Sequence, residues 1–105
     1  MPAVRVLPLG AVFEARAGES IMAAAQAAGY YWPTTCGGEA RCTTCACEVL
    51  EGVSSLSEMG RAERRVLVSE RGEAVLGTSV RLACQARLAT AGDVTVRKAG
   101  VRPPE

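Results

Sequence analysis

Four of the five cysteines in the chain are spaced as ligands of a metal centre would be. Cys36, Cys42 and Cys45 are separated by five and then two residues, and Cys84 follows 39 positions after Cys45. Three thiolates on one short loop can surround a cluster of iron and sulfide, while a distant fourth ties that loop to another part of the fold. The spacing therefore predicts a site with four thiolate ligands.

The residues between these cysteines suit a tightly wrapped loop. Gly37 and Gly38 permit positive φ and a close approach of the backbone, so that amide N–H groups can turn toward sulfur. Thr43 and Thr44 are small and carry hydroxyl donors of their own. Hydrogen bonds to sulfur stabilise its negative charge, so this composition is typical of a thiolate-bound centre.

The chain contains no histidine, which excludes several kinds of site. Rieske centres, most catalytic zinc and copper sites, and Ser-His or Cys-His catalysis all require that residue. An iron–sulfur cluster and a structural zinc site with four thiolates both remain possible on the ligands alone. Zinc ribbons favour two similar C-x2-C pairs, and Cys84 has no second cysteine beside it.

The cysteine loop, together with the run Arg81-Leu82-Ala83-Cys84-Gln85, resembles the 2Fe-2S ferredoxins of the adrenodoxin and putidaredoxin type. These proteins share the five-residue first gap, whereas plant-type ferredoxins have four residues there. The resemblance extends from the first predicted strand to about Lys98. Glu39 and Arg41 stand where that family usually has small residues, and Ala46 stands where it often has histidine.

The resemblance implies an α+β protein with the β-grasp (ubiquitin-like) 2Fe-2S ferredoxin fold: a mixed sheet, a packed helix and a cluster-binding loop. It also implies one 2Fe-2S cluster, bound by Cys36, Cys42, Cys45 and Cys84. The expected function is one-electron transfer rather than catalysis, since the cluster itself is the reactive group.

The same resemblance implies partners. We expect electrons to arrive from an NAD(P)H-dependent, FAD-containing ferredoxin reductase and to pass to an oxygenase, in the first place a cytochrome P450. A ferredoxin that supplies electrons for iron–sulfur cluster assembly is an alternative. A structural four-thiolate zinc module that acts through protein contacts is another.

Composition predicts one compact domain over residues 1–98 and a flexible tail over 99–105, where apolar residues are few. Twelve basic residues balance eleven acidic ones, and no basic stripe with interleaved aromatics indicates nucleic-acid binding. No stretch approaches the roughly 20 apolar residues that span a bilayer, and the first residues lack a signal sequence. We therefore expect a soluble, cytoplasmic monomer without membrane contact.

Apolar periodicity in the first third predicts a hairpin followed by a helix. Val4 and Val6 form one strand, and a second runs over residues 12–15. Ser20 is the predicted N-cap and Gly29 the end of the helix, whose inward residues are Ile21, Ala24, Ala25 and Ala28. The aromatic run Tyr30-Tyr31-Trp32 that follows is interpreted as a hydrophobic cover over one side of the site rather than as a docking patch.

The second half predicts a strand over residues 46–50, a helix over 56–68 and closing strands over 82–88 and 94–97. Ser57 is the expected cap of that helix, with Met59, Ala62 and Val66 facing inward. In the resembling family an acidic helix in this region often meets basic partners. Here four arginines accompany four glutamates, which also fits an ordinary solvated helix: Arg61, Arg64, Arg65, Arg71, Glu58, Glu63, Glu70 and Glu73.

Cys47 and Arg41 require separate interpretations. Cys47 is a fifth thiol that four-thiolate ligation does not need, and we interpret it as a small buried residue of the core rather than as a ligand. Arg41 lies between two predicted ligands. Its charge would favour the reduced cluster if the guanidinium points inward, and would be screened if it points to water.

Overall fold

The centre of the protein is a five-stranded sheet. The structure, a computed structural model, describes residues 2–33 and 44–104. The strands are β1 Ala3–Leu7, β2 Ala11–Glu14, β3 Ala46–Glu51, β4 Val80–Leu82 and β5 Val94–Arg97, in the spatial order β2-β1-β5-β3-β4. Only the β1–β5 pair is parallel among these strands, so the predicted mixed sheet is confirmed.

Alternation along the central strands places one face of the sheet in the core. Val4 and Val6 on β1, and Val94 and Val96 on β5, are fully buried, while the residues between them are more exposed. This two-residue period was the signal that predicted these strands. The hairpin and the strand over 94–97 are confirmed.

The first helix, α1, spans Ile21–Ala27 and begins as predicted. The Ser20 hydroxyl accepts a hydrogen bond from the backbone N–H of Ala23 at 3.1 Å. Gly29 follows the helix with φ of 91°, a conformation that glycine adopts without strain. Met22 joins the predicted buried residues, but Ala28 is exposed because it lies at the C-cap, beyond the last helical turn.

The second helix, α2, spans Arg61–Arg71 and begins at Gly60, so the predicted start at residue 56 and the Ser57 cap are wrong. Leu56 instead bridges Leu88, and the Ser57 N–H donates to the carbonyl oxygen of Arg87. These long-range contacts hold the segment extended. The predicted inward face is also wrong: Glu63 and Leu67 are the buried residues of α2, whereas Met59 precedes it, Ala62 is exposed and Val66 is half-buried.

Strand β4 ends at Leu82, so the prediction of a strand over residues 82–88 is wrong for the stretch that contains Cys84. The N–H groups of Gln85 and Ala86 both donate to the Leu82 carbonyl oxygen, at 2.9 Å each, and this closes a turn. Beyond the turn, Arg87 and Leu88 form isolated bridges with Ser20 and Leu56.

The C-terminal segment packs against the aromatic run. Val101 is 7% exposed, and Arg102 and Tyr31 exchange backbone hydrogen bonds of 3.1 and 2.9 Å. The Arg102 guanidinium carbon also lies 4.5 Å from the centre of the Tyr31 ring. The expectation that residues 99–105 cannot pack is therefore wrong for Val101 and Arg102, while a domain boundary at residue 98 stays a prediction.

None of the helices in the described ranges is long and apolar enough to cross a membrane.

Candidate metal centre

The fold brings two of the four predicted ligands together. The Sγ atoms of Cys45 and Cys84 lie 3.4 Å apart, although 39 positions separate them in the chain. Both side chains are buried, with 0% and 5% exposure. Cys36 and Cys42 fall between residues 34 and 43, outside the described residues, as do Glu39 and Arg41.

The sulfur–sulfur distance suits two ligands of one metal ion. A disulfide would bring the atoms to about 2.05 Å. Metal–sulfur bonds of about 2.3 Å in a tetrahedral arrangement put neighbouring sulfurs about 3.8 Å apart. The observed 3.4 Å is much closer to the second value than to the first, so Cys45 and Cys84 fit a thiolate-bound metal centre.

Cys45 lies immediately before β3, and two side chains hold the backbone on either side of it. The indole Nε1–H of Trp32 donates to the carbonyl oxygen of Cys45 at 3.0 Å, and Trp32 is only 1% exposed. The Nζ of Lys98 donates to the carbonyl oxygen of Thr44 at 2.6 Å. Trp32 thus covers one side of the site, as predicted for the aromatic run, whereas Tyr31 is half-exposed and pairs with Arg102.

Cys84 is held by the turn after β4 and by the first residues of α1. The N–H of Met22 donates to the Ala83 carbonyl oxygen, and the N–H of Ile21 donates to that of Ala86, both at 3.0 Å. The amide nitrogen of the Gln85 side chain lies 3.6 Å from the Cys84 Sγ and donates to it. Such a donor stabilises negative charge on a thiolate.

A buried ion pair supports the strand that leads to Cys84. Both carboxylate oxygens of Glu63 accept hydrogen bonds from the Arg81 guanidinium, at 2.6 and 3.0 Å. The same carboxylate accepts the backbone N–H of Leu82 at 2.9 Å, and Arg81 also donates to the Ser57 carbonyl oxygen at 2.8 Å. Glu63 thereby joins α2 to β4 two residues before the site.

Sequence reasoning assigned Glu63 to the charged surface of the helix and missed this role. The available signal was its spacing: Glu63 lies four residues before Leu67 and therefore on the same face of α2. With Glu63 buried, the exposed charges of this stretch shift toward arginine, and Arg61, Arg64 and Arg65 all lie on the surface.

Cys47 is a buried residue of β3, opposite Arg81 in the register with β4. It is 3% exposed, and burial raises the pKa of its thiol from 9.0 to about 12. The predicted burial in the core is confirmed. Whether the thiol touches a bound cluster is untested, and the expectation that Cys47→Ser keeps the cluster stays a prediction.

Comparison with known proteins assigns the family. The model of the 2Fe-2S iron–sulfur cluster binding domain matches residues 4–89. The chain is 40% identical over 88 residues to a 2Fe-2S ferredoxin of Escherichia coli strain K12, covering 84% of this chain and 77% of that protein.

Solved structures agree with this assignment. The crystal structure of FdxB, an ISC-like 2Fe-2S ferredoxin from Pseudomonas putida, matches with a TM-score of 0.70 and 28% identity, over 100% of this chain and 98% of that one. The Amycolatopsis cytochrome P450 reductase GcoB matches with a TM-score of 0.76 and 24% identity, over 100% of this chain and 28% of that one. At that identity the second match shows the fold alone.

These matches decide between the two kinds of metal centre that the ligands left open. The zinc alternative is overturned, because the matching family model and the relatives are those of 2Fe-2S proteins. The β-grasp prediction is confirmed by the mixed sheet and by the structural match. The chain therefore belongs to the 2Fe-2S ferredoxins, a family of electron carriers that bind one 2Fe-2S cluster.

Proposed function

We propose that Cys36, Cys42, Cys45 and Cys84 bind the cluster and that the protein carries single electrons from an FAD-containing, NAD(P)H-dependent ferredoxin reductase to an oxygenase, in the first place a cytochrome P450. The observation that carries the ligand assignment is the 3.4 Å distance between two buried sulfurs from separate parts of the fold. We place this exchange in the cytoplasm, with the carrier acting as a monomer.

The bound cluster supplies a one-electron redox group, and the polypeptide sets its surroundings. Trp32 excludes water from the Cys45 side, and the Gln85 amide donates a hydrogen bond to the Cys84 sulfur. Fixed donors of this kind limit the rearrangement that accompanies a change of charge. The described residues of the site thus bind, orient and shield the redox group without performing a chemical step.

The reductase and the P450 come from the family resemblance carried by the cysteine loop and Arg81–Gln85. The exposed arginines of α2 add a requirement to that proposal. Arg61, Arg64 and Arg65 present positive charge within little more than one helical turn. A partner that docks on this face would need acidic residues opposite them.

Iron–sulfur cluster assembly is the second candidate, and one specific observation favours it. The Pseudomonas putida ferredoxin that matches the chain from end to end is described as ISC-like. In this role the same centre would deliver its electron to the assembly machinery instead of to an oxygenase.

The discriminating experiment starts from anaerobically purified protein and its visible absorption before and after dithionite. Red-brown bands that partly bleach are expected from a ferric–thiolate centre. The reduced protein is then offered to a P450 with its substrate, and separately to a cluster-assembly scaffold. Product formation supports the oxygenase role. Stimulation of assembly without product formation assigns the second role, and neither result overturns both acceptors.

The ligand assignment has a matched control within the chain. Serine substitution of Cys36, Cys42, Cys45 or Cys84 is expected to abolish or strongly alter the visible bands. Cys47→Ser is expected to keep them, since Cys47 is assigned to the core. A colourless Cys47→Ser protein, or a normal spectrum from any of the other four variants, contradicts the assignment.

A further inference from the structure

Lys98 is bound to the peptide group that leads into Cys45. Its Nζ lies 2.6 Å from the carbonyl oxygen of Thr44 in a partly buried contact. Lys98 directly follows β5, and its backbone N–H donates to the Leu7 carbonyl oxygen at 2.8 Å. The backbone of Lys98 is thereby fixed to the end of β1, while its side chain reaches the residue before a proposed ligand.

The charge of Lys98 is felt inside the protein on this side of the site. At the Cys47 thiol, burial raises the pKa, and the positive charge of Lys98 opposes that rise more than Arg81 does. Arg81 is paired with Glu63, whose negative charge acts on the same thiol in the opposite direction. Because Coulomb interactions strengthen away from water, a cation in this position influences nearby groups that change charge.

We propose that Lys98 is a positioning residue of the metal centre, whose ammonium group fixes the Thr44–Cys45 peptide and adds a positive charge that favours the reduced cluster. Reduction adds one electron, and thus one negative charge, to the site. A nearby cation stabilises that state more than the oxidised one. The inference rests on the proposed role of Cys45 as a ligand.

The test is the midpoint potential of the Lys98→Met holoprotein, measured by dithionite titration with mediator dyes and followed by visible absorption and electron paramagnetic resonance. Methionine keeps an unbranched side chain but removes the charge and the hydrogen bond to Thr44. We expect the equilibrium constant for reduction to fall threefold to tenfold, which corresponds to a potential lower by about 28 to 59 mV for a one-electron couple.

Arg97→Met is the matched control. Arg97 is the neighbouring residue and carries the same charge, but its side chain is 63% exposed and pairs with Glu48 at 3.4 Å. Its removal is expected to leave the potential unchanged within error, and Lys98→Arg is expected to restore most of the wild-type value. An unchanged potential in Lys98→Met, or an equal shift in Arg97→Met, overturns the proposal.

Loss of the cluster in Lys98→Met also gives a decision. If Lys98→Arg then binds the cluster while Lys98→Met and Lys98→Gln do not, the result supports a cation that fixes the loop. If Lys98→Arg fails as well, a cation at this position is not sufficient and the proposal is wrong. A wild-type protein without the 2Fe-2S spectrum would instead contradict the proposed function, so the two failures are distinguishable.

Discussion

The two described sides of the metal centre are held by different kinds of contact. On the Cys45 side, Trp32 and Lys98 reach in from distant parts of the chain and bind the carbonyl oxygens on either side of the proposed ligand. On the Cys84 side, a turn closes on its own backbone and is bound by the first amides of α1. Long side chains secure one ligand, and main-chain geometry secures the other.

This difference separates the effects that substitutions can have. Replacing Trp32 or Lys98 removes a direct contact to the backbone around Cys45. The main-chain bonds around Cys84 survive most substitutions, because every residue except proline offers the same N–H group. The side-chain dependence of the Cys84 side lies one step further away, in the Glu63–Arg81 pair that supports β4.

Glu63→Gln tests that support and carries the largest expected effect. It removes the negative charge from a carboxylate that is 1% exposed and leaves the Arg81 charge without its partner, at a cost of about 3–5 kcal/mol. Thermal unfolding of the holoprotein, followed by far-ultraviolet circular dichroism and by visible absorption, is the measurement. Both signals are expected to change at a much lower temperature than in wild type.

Glu70→Gln is the control, because Glu70 lies on the exposed face of the same helix. Its expected change stays within about 0.5 kcal/mol. Equal stability of the two variants would show that the buried pair does not support β4, and the contrast between the two sides would then disappear.

Trp32→Phe probes the Cys45 side directly. The change removes the indole N–H bond to the Cys45 carbonyl oxygen and part of a fully buried ring. The backbone N–H of Ala83 stays near that oxygen at 3.4 Å, so we expect a moderate loss of about 1–3 kcal/mol and faster loss of the visible bands.

Tyr31→Phe provides the comparison for Trp32, since Tyr31 is the adjacent aromatic residue and is half-exposed. The rate of cluster loss in mild urea should match that of wild type. A Trp32→Phe protein that loses its cluster no faster than Tyr31→Phe would refute the proposed anchoring of Cys45.

Cys47 lies between the two sides, and its thiol predicts a dependence of stability on pH. The folded-state pKa of about 12 exceeds the ordinary value of 9.0, so the thiol's contribution is complete below pH 9 and is lost as the pH rises toward 12. At pH 10 the loss is about 1.4 kcal/mol.

Cys47→Ala separates this effect from the titration of other groups. The stability difference between wild type and the variant is measured at pH 8 and pH 10 by urea unfolding, and it should shrink or reverse by that amount at the higher pH. A constant difference would indicate that the thiol is not shielded from water.

Arg102→Ala carries the smallest expected effect and tests the segment behind Trp32. It removes the cation–π contact with Tyr31 but keeps the backbone bridge, so the loss is expected to be about 0.5–1 kcal/mol. Arg16→Ala serves as a surface control, since the Arg16 side chain is exposed. Identical melting temperatures for wild type and both variants would mean that the Tyr31–Arg102 contact does not stabilise the Cys45 side.

Local patterns were sufficient for the parts of the fold that repeat a simple period. The strands around Val6 and Val96 and the Ser20 cap follow from alternation and from hydrogen-bond chemistry that operates over a few residues. The thiolate spacing also indicated which distant cysteine belongs with the loop. In each case the residues that form the feature carry their own signal.

The errors occurred where distant contacts override local preference. The segment around Ser57 resembles a helix start, but it pairs with Arg87 and Leu88, which follow the site by only a few residues. Glu63 resembles a surface charge, and only its partner on β4 makes burial favourable. No window of sequence around α2 contains Arg81, which explains why the ion pair was missed.

The position of β5 has a consequence for how the protein is made. This strand is the last of the five in the chain but the middle one in the sheet, between β1 and β3. Until Val94–Arg97 has been synthesised, the β1–β2 and β3–β4 hairpins present unpaired edges to each other and to neighbouring chains. Lys98 emerges directly after β5, so during translation its contact with Thr44 becomes available only when the two halves can join.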